Sequence, residues 1–177
     1  MSGGNAVEEG RLILSVQAVS TALAPAAIGA RVVASLIDGI ILWLSLSIVG
    51  GILSDVTIGG SFIRALIQAV VVFGYFGYSW TAFRASPGQR VLGLMTVNEA
   101  DGAALTRNEA VVRLGYLFGP IVFYSLISAS QLGIIAFFAA LAVIGYYVYL
   151  VYSAAIDPRK QGFHDKQSGT LVITKSI

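Results

Sequence analysis

The residues best placed to do chemistry are Asp38, Arg31 and the pair His164-Asp165. Asp38 interrupts an otherwise apolar run from Val32 to Leu53. A carboxylate inside a hydrocarbon layer costs several kcal/mol unless it pairs, faces a cavity or stays protonated. A carboxyl group with a raised pKa that can also hold a cation is the minimal part for proton-coupled exchange. The structural alternative is that Asp38 pairs with Arg31 or with a loop donor and staples polar segments to the membrane helices. Arg31 lies seven residues earlier on the same helix face, roughly 10 Å along the axis by the helix rise. That spacing allows direct or water-bridged pairing. Taken alone, Arg31 reads as a cation at the membrane entry with its stem in apolar surroundings and its head in water. A His beside a carboxylate can serve general acid–base catalysis. The chain, however, has no clear serine nucleophile motif, no second His for a metal site and no phosphate-cradling glycine loop. His164-Asp165 is therefore expected to be a solvated or hydrogen-bonded loop, and neither an enzyme nor a resident metal or cofactor is expected. Ser86-Pro87-Gly88-Gln89-Arg90 reads either as a turn carrying a charge or as a contact for a lipid phosphate, through the guanidinium fork of Arg90.

The elements that must position these groups follow from hydropathy. Of 177 residues, 56% are hydrophobic and only 11% are charged, against about 25% charged in a soluble domain. Mean hydropathy is +0.82, so much of the exterior faces a lipid bilayer. A net charge of only +2 leaves no nucleic-acid footprint, and the absence of Cys excludes disulfides and thiolate chemistry. The first residues, Met1 to Glu9, are polar and lack the basic-then-apolar order of a signal peptide. Crossing the hydrocarbon takes about 20 mainly apolar residues. Four runs qualify, over about 31–53, 65–83, 110–129 and 132–156. In the third, Arg113, Gly115, Gly119 and Pro120 would also suit a kinked or interfacial helix. With four spans, every Lys and Arg except Arg64 falls on one side, which the positive-inside rule makes cytoplasmic. Residues 1–30, 84–109 and 157–177 then share that side, and both termini are cytoplasmic. Tyr146, Tyr147, Tyr149 and Tyr152 close the fourth run and, like Tyr78, Trp80 and Phe83, read as an interfacial belt.

The polar segments read as ordered. Val91–Val97 has strand character, and Asp101-Gly102 is a turn signal before Ala103-Ala104-Leu105, which predicts a short hairpin. Gly169–Thr174 and Arg11–Val16 are further strand-like stretches, and these edges are expected to pair into one small sheet. Thr106-Arg107-Asn108-Glu109 matches a capping box and places a helix start at Thr106. The expected fold is an all-α membrane protein: a four-transmembrane-helix bundle with a small cytoplasmic β-hairpin and strand-like terminal segments.

Three segments, in order, carry a family resemblance. Ala30–Asp38 opens the first span, Ser86–Leu94 follows the second, and Gly162–Thr170 lies near the end. Together they resemble the RDD family of bacterial integral membrane proteins, named for one Arg and two Asp, over about residues 24 to 174. By that motif the Arg is Arg31, the first Asp is Asp38 and the second is Asp165. The resemblance implies a bacterial inner-membrane location and an ion pair of Arg31 with Asp38 or Asp165. Ion or solute transport is among the proposed roles, with sodium/proton exchange suggested for some members. A role beside larger membrane assemblies is the other. Because four spans are few to enclose a pathway, transport would call for a homo-oligomer or partner membrane subunits. Few polar groups lie along the spans, which favours an accessory or scaffold subunit.

Overall fold

In a computed structural model, Glu8, Arg11 and residues 23–52, 60–130 and 133–175 are described. In chain order the elements are α1 (Ile28–Ile52), α2 (Gly60–Phe83), α3 (Pro87–Val91), β1 (Leu94–Asn98), α4 (Arg107–Ala129), α5 (Gly133–Ile156), α6 (Phe163–Gln167) and β2 (Thr170–Thr174). The four long helices, α1, α2, α4 and α5, are each long and apolar enough to cross a membrane. Their outward faces carry Trp43, Ile48, Val70, Phe123, Phe138 and Ile144, all exposed. Such faces are stable where the solvent is hydrocarbon, and a helix satisfies its own backbone there.

The third apolar run forms one continuous helix of 23 residues with Pro120 inside it. Proline has no N–H to give the carbonyl four residues back, here Tyr116. An orphaned carbonyl in lipid is expensive, and α5 supplies the missing donor. Tyr146 donates its hydroxyl to Tyr116 O at 2.5 Å, and Tyr147 donates to Leu117 O at 2.7 Å. Two of the tyrosines expected in an interfacial belt therefore stitch α5 to the proline site of α4.

α2 and α4 form the main packed pair. Phe76 and Trp80 of α2 are buried with Ala110 and Leu114 of α4 and with Leu42 of α1. Phe76 stacks on Phe118 with ring centroids 4.8 Å apart. The capping box at the head of α4 is present as expected: Glu109 N donates to Thr106 Oγ1, and Thr106 N donates to Glu109 Oε2 at 2.8 Å.

The sheet departs from the expected hairpin. β1 pairs antiparallel with β2, from Leu94 opposite Thr174 to Asn98 opposite Thr170, and Pro25 adds a bridge to Ile173. The Asp101-Gly102 turn exists, with Gly102 N donating to Asn98 O at 3.0 Å. Ala103–Leu105, however, is not a strand. Those three residues lead straight into the Thr106 cap, leaving too short an edge to compete with the five residues of β2. The strand-like stretch expected over residues 11–16 lies, beyond Arg11, outside the described residues. Ala26 and Ala34 pack with Leu94 and Val172, so the sheet seats the start of α1.

Candidate functional site

Two polar joints hold α1 at the sheet end of the bundle. The first is centred on Asp38, which is 2% exposed. Its Oδ1 accepts from Gly88 N at 2.7 Å and from the Tyr75 hydroxyl at 2.8 Å, and its Oδ2 accepts from the Ser86 hydroxyl. Among the described residues no cation pairs with it. The motif around Ser86 exists to build this shell. Ser86 caps α3, Pro87 occupies the first turn where its missing N–H costs nothing, and Gln89 closes the capping box. Gln89 is itself fixed, its Oε1 accepting from Ser86 N at 2.9 Å and from Trp80 Nε1 at 3.2 Å. Gly88 must be Gly, because a Cβ there would sit 2.2 Å from Ala34 O and 2.9 Å from Asp38 Cγ.

The second joint is centred on Asp165, whose side chain is fully buried. Arg31 of α1 pairs with Oδ2 and Arg113 of α4 with Oδ1, and Gly162 N donates to Oδ2 at 2.9 Å. Arg31 also donates to the carbonyl of Lys160, and Arg113 to Thr170 Oγ1. Burial alone would raise the pKa of Asp165, but Arg113 and Arg31 outweigh it and hold the carboxyl well below the usual carboxylate range. Trp80 links the two joints. Its indole N–H goes to Gln89, and the Arg113 guanidinium lies over its ring, 4.9 Å from the centroid.

Of the residues singled out in the sequence, Arg31 and Asp165 meet each other, while Asp38 belongs to the other joint. The pairing of Arg31 with Asp38 does not form, because α3 occupies the space beside Asp38 with neutral donors. His164 and Asp165, expected in a solvated or hydrogen-bonded loop, lie buried in the short helix α6, with the Asp165 carboxylate hydrogen-bonded. Arg90 is exposed, with its guanidinium 4.1 Å from the centre of the Phe83 ring. Such stacking leaves the donor edge of an arginine free. Arg113 is a member of the site that sequence reasoning counted only among the charges of the third run. Its position about one turn inside that run was the available signal, since a charge there needs a partner.

His164 adds a pH dependence. Burial pushes its pKa down to about 3, with Arg113 and Arg31 also lowering it against the opposing pull of Asp165. The folded form thus holds His164 neutral, whereas the unfolded chain protonates it near pH 6.5. Stability from this group is complete above pH 6.5 and falls as pH drops towards 3, by up to about 1.4 kcal/mol per pH unit. Thermal unfolding in mild detergent between pH 7 and pH 4.5 should show that decline, and His164→Gln should flatten it. An unchanged slope in the variant would remove His164 as the cause.

The joints and the bundle enclose a cavity of about 400 Å³, with Asp38, Arg31, Arg113 and His164 on its polar wall and Leu42, Leu117, Phe118 and Leu150 on its apolar wall. The Asp38 carboxylate on that wall is met by neutral donors, two hydroxyls and one backbone N–H. Compared with known proteins, residues 25–169 match the sequence model of the RDD family. No curated protein matches the chain. No solved structure matches it.

Proposed function

This chain belongs to the RDD family, and from that premise we propose that it is a small, non-enzymatic transporter of ions or solutes in which Asp38 binds and releases a proton or a cation. The observation that carries this reading is the buried Asp38 carboxylate on the wall of the cavity, without a counter-ion among the described residues. Its shell suits both charge states. Tyr75 and Ser86 donate to the carboxylate, and either hydroxyl can turn to accept from the protonated acid or offer a lone pair to a cation. Because Ser86 and Gly88 sit on α3, a change of charge at Asp38 loads the contact between α1 and α3.

Placement in a bacterial inner membrane with both termini cytoplasmic is supported by the basic residues, all but Arg64 lying on one side of the four spans. There Arg90, with its free donor edge, stands where lipid phosphates are. A homo-oligomer or partner membrane subunits would complete a pathway that four helices leave open to the side. A second reading, a non-catalytic accessory or scaffold subunit of a larger membrane complex, is favoured by α5. It shows Ile134, Phe138, Leu141, Ile144 and Val148 outward along its length, a surface suited to a neighbouring helix.

The test is ion flux in proteoliposomes under sodium, lithium or potassium gradients. Asp38→Asn keeps an acceptor for Tyr75 and Gly88, and its amide can donate to Ser86, so it should fold. Wild type should move protons against at least one of these cations, and Asp38→Asn should fall to the level of protein-free vesicles. Absence of flux from monodisperse wild-type protein would sink the exchange reading for those ions. Recovery of a larger assembly from native membranes would then favour the accessory role.

A further inference from the structure

The cavity has a side opening and an unusual polar end. Val32 and Leu36 of α1 and Val151 of α5 line it and are also among the exposed apolar residues of the outer surface. It therefore opens sideways, between α1 and α5, into the hydrocarbon of the bilayer. Its volume of about 400 Å³ falls within the 300–1,000 Å³ or so typical of small-molecule sites, and so does its composition, apolar with a few convergent polar groups. At the polar end two guanidiniums, Arg31 and Arg113, share one carboxylate, Asp165, which leaves a local excess of positive charge. Arg113 is only 3% exposed, and among the described residues its Nε has no acceptor. Asp38, the other acid on this wall, is held by the neutral donors Gly88, Tyr75 and Ser86 and pairs with neither arginine among the described residues, so the excess at Asp165 is a local one. Arg113 stands six residues into α4, about 9 Å along the helix by its rise, near the depth of lipid headgroups.

We propose that the cavity holds one acyl chain of an anionic phospholipid, whose phosphate accepts from Arg113. The chain enters between Leu36 and Val151 and lies along Leu117 and Phe118, where an unfilled space would forfeit dispersion contacts. The phosphate suits the arginines, whose planar forks match its oxygens, and it neutralises the charge left over from Asp165. A zwitterionic lipid offers the same phosphate but brings its own ammonium, which cancels that gain. The inference is independent of ion exchange at Asp38, because its readout is bound lipid and not flux.

Gly39 provides the test. It lines the cavity, and a Cβ built there meets nothing within 4 Å, so a larger side chain at this position starts into open space. The full-length protein, delipidated in detergent, would be offered phosphatidylglycerol, phosphatidylethanolamine of the same chains, or oleate, and read by native mass spectrometry. Wild type should retain one phosphatidylglycerol per chain at least about ten-fold better than phosphatidylethanolamine, equivalent to about 1.4 kcal/mol. Gly39→Phe should lose that adduct with no fall in melting temperature. Leu117→Trp, filling the same space from α4, serves if Gly39→Phe does not fold. Equal retention of the two phospholipids, a preference for oleate, or retention by the filled variants would each overturn the proposal.

Discussion

Asp165→Ala is expected to cost about 3–5 kcal/mol of stability, the usual loss when one partner of a buried ion pair is removed. The reason is what stays behind. Arg113 is 3% exposed and Arg31 only 14%, so deleting their shared carboxylate strands two cations in an apolar setting. Gly162 N loses its acceptor as well. The measurement is thermal unfolding in mild detergent, with monodispersity checked first. A companion variant separates charge from shape: Arg31→Met, Asp165→Leu and Arg113→Met together remove all three charges and should recover much of the loss. Asp165→Ala melting within experimental error of wild type would show that the triad is not what holds α1 and α4 to the C-terminal segment.

Gly88→Ala should be the most damaging added methyl group among the described glycines. The added Cβ would stand 2.2 Å from the Ala34 carbonyl and 2.9 Å from Asp38, and both neighbours are fixed in α1. Helix and cap must separate, at a cost of about 1–3 kcal/mol for the overpacking. About 1–3 kcal/mol more goes with the lost Gly88 hydrogen bond, since a buried carboxylate is left short of a donor. The control is Gly50→Ala, where a Cβ meets nothing within 4 Å and little change should follow. If the two variants melt together, the contact between α1 and α3 is looser than the geometry requires.

How legible these joints were depended on distance along the chain. The spans could be read directly, because 20 or so apolar residues carry their own signal. The same held for the Thr106 cap, whose partner is three residues away. Asp38 was conspicuous as a charge inside a span, but its partners were not. Tyr75 looked like any residue of an apolar helix, and Ser86-Pro87-Gly88-Gln89-Arg90 read as a turn because nothing local shows that its cap hydroxyl faces another helix. Arg31 had two carboxylates to choose from. The nearer one in sequence was the wrong choice, since the Gly88 amide and the Ser86 hydroxyl reach Asp38 first. The strand at Leu94 and the strand-like stretch at Gly169–Thr174 were both visible, and they do pair; what misled was Asp101-Gly102, a local hairpin signal that suggested a further partner in Ala103–Leu105. Tyr146 and Tyr147 matched the pattern of an interfacial belt. Their real partners are two carbonyls beside Pro120, that of Tyr116, which the proline leaves without a donor, and that of Leu117, a pairing that only the α4–α5 contact reveals.

The pairing of Arg31 with Asp165 spans 134 residues, and that separation is also an interval of time. At about 5–20 residues per second of synthesis, α1 waits about 7–27 s after Arg31 is made before its carboxylate exists. All four membrane helices are complete by Ile156, yet neither Asp165 nor β2 has been translated. A chain stopped there already has the Asp38 joint of α1 to Tyr75, Ser86 and Gly88, but Arg31 and Arg113 still lack the carboxylate they share. α1 is thus fastened in two stages, first by a contact 50 residues away and only later by one 134 residues away.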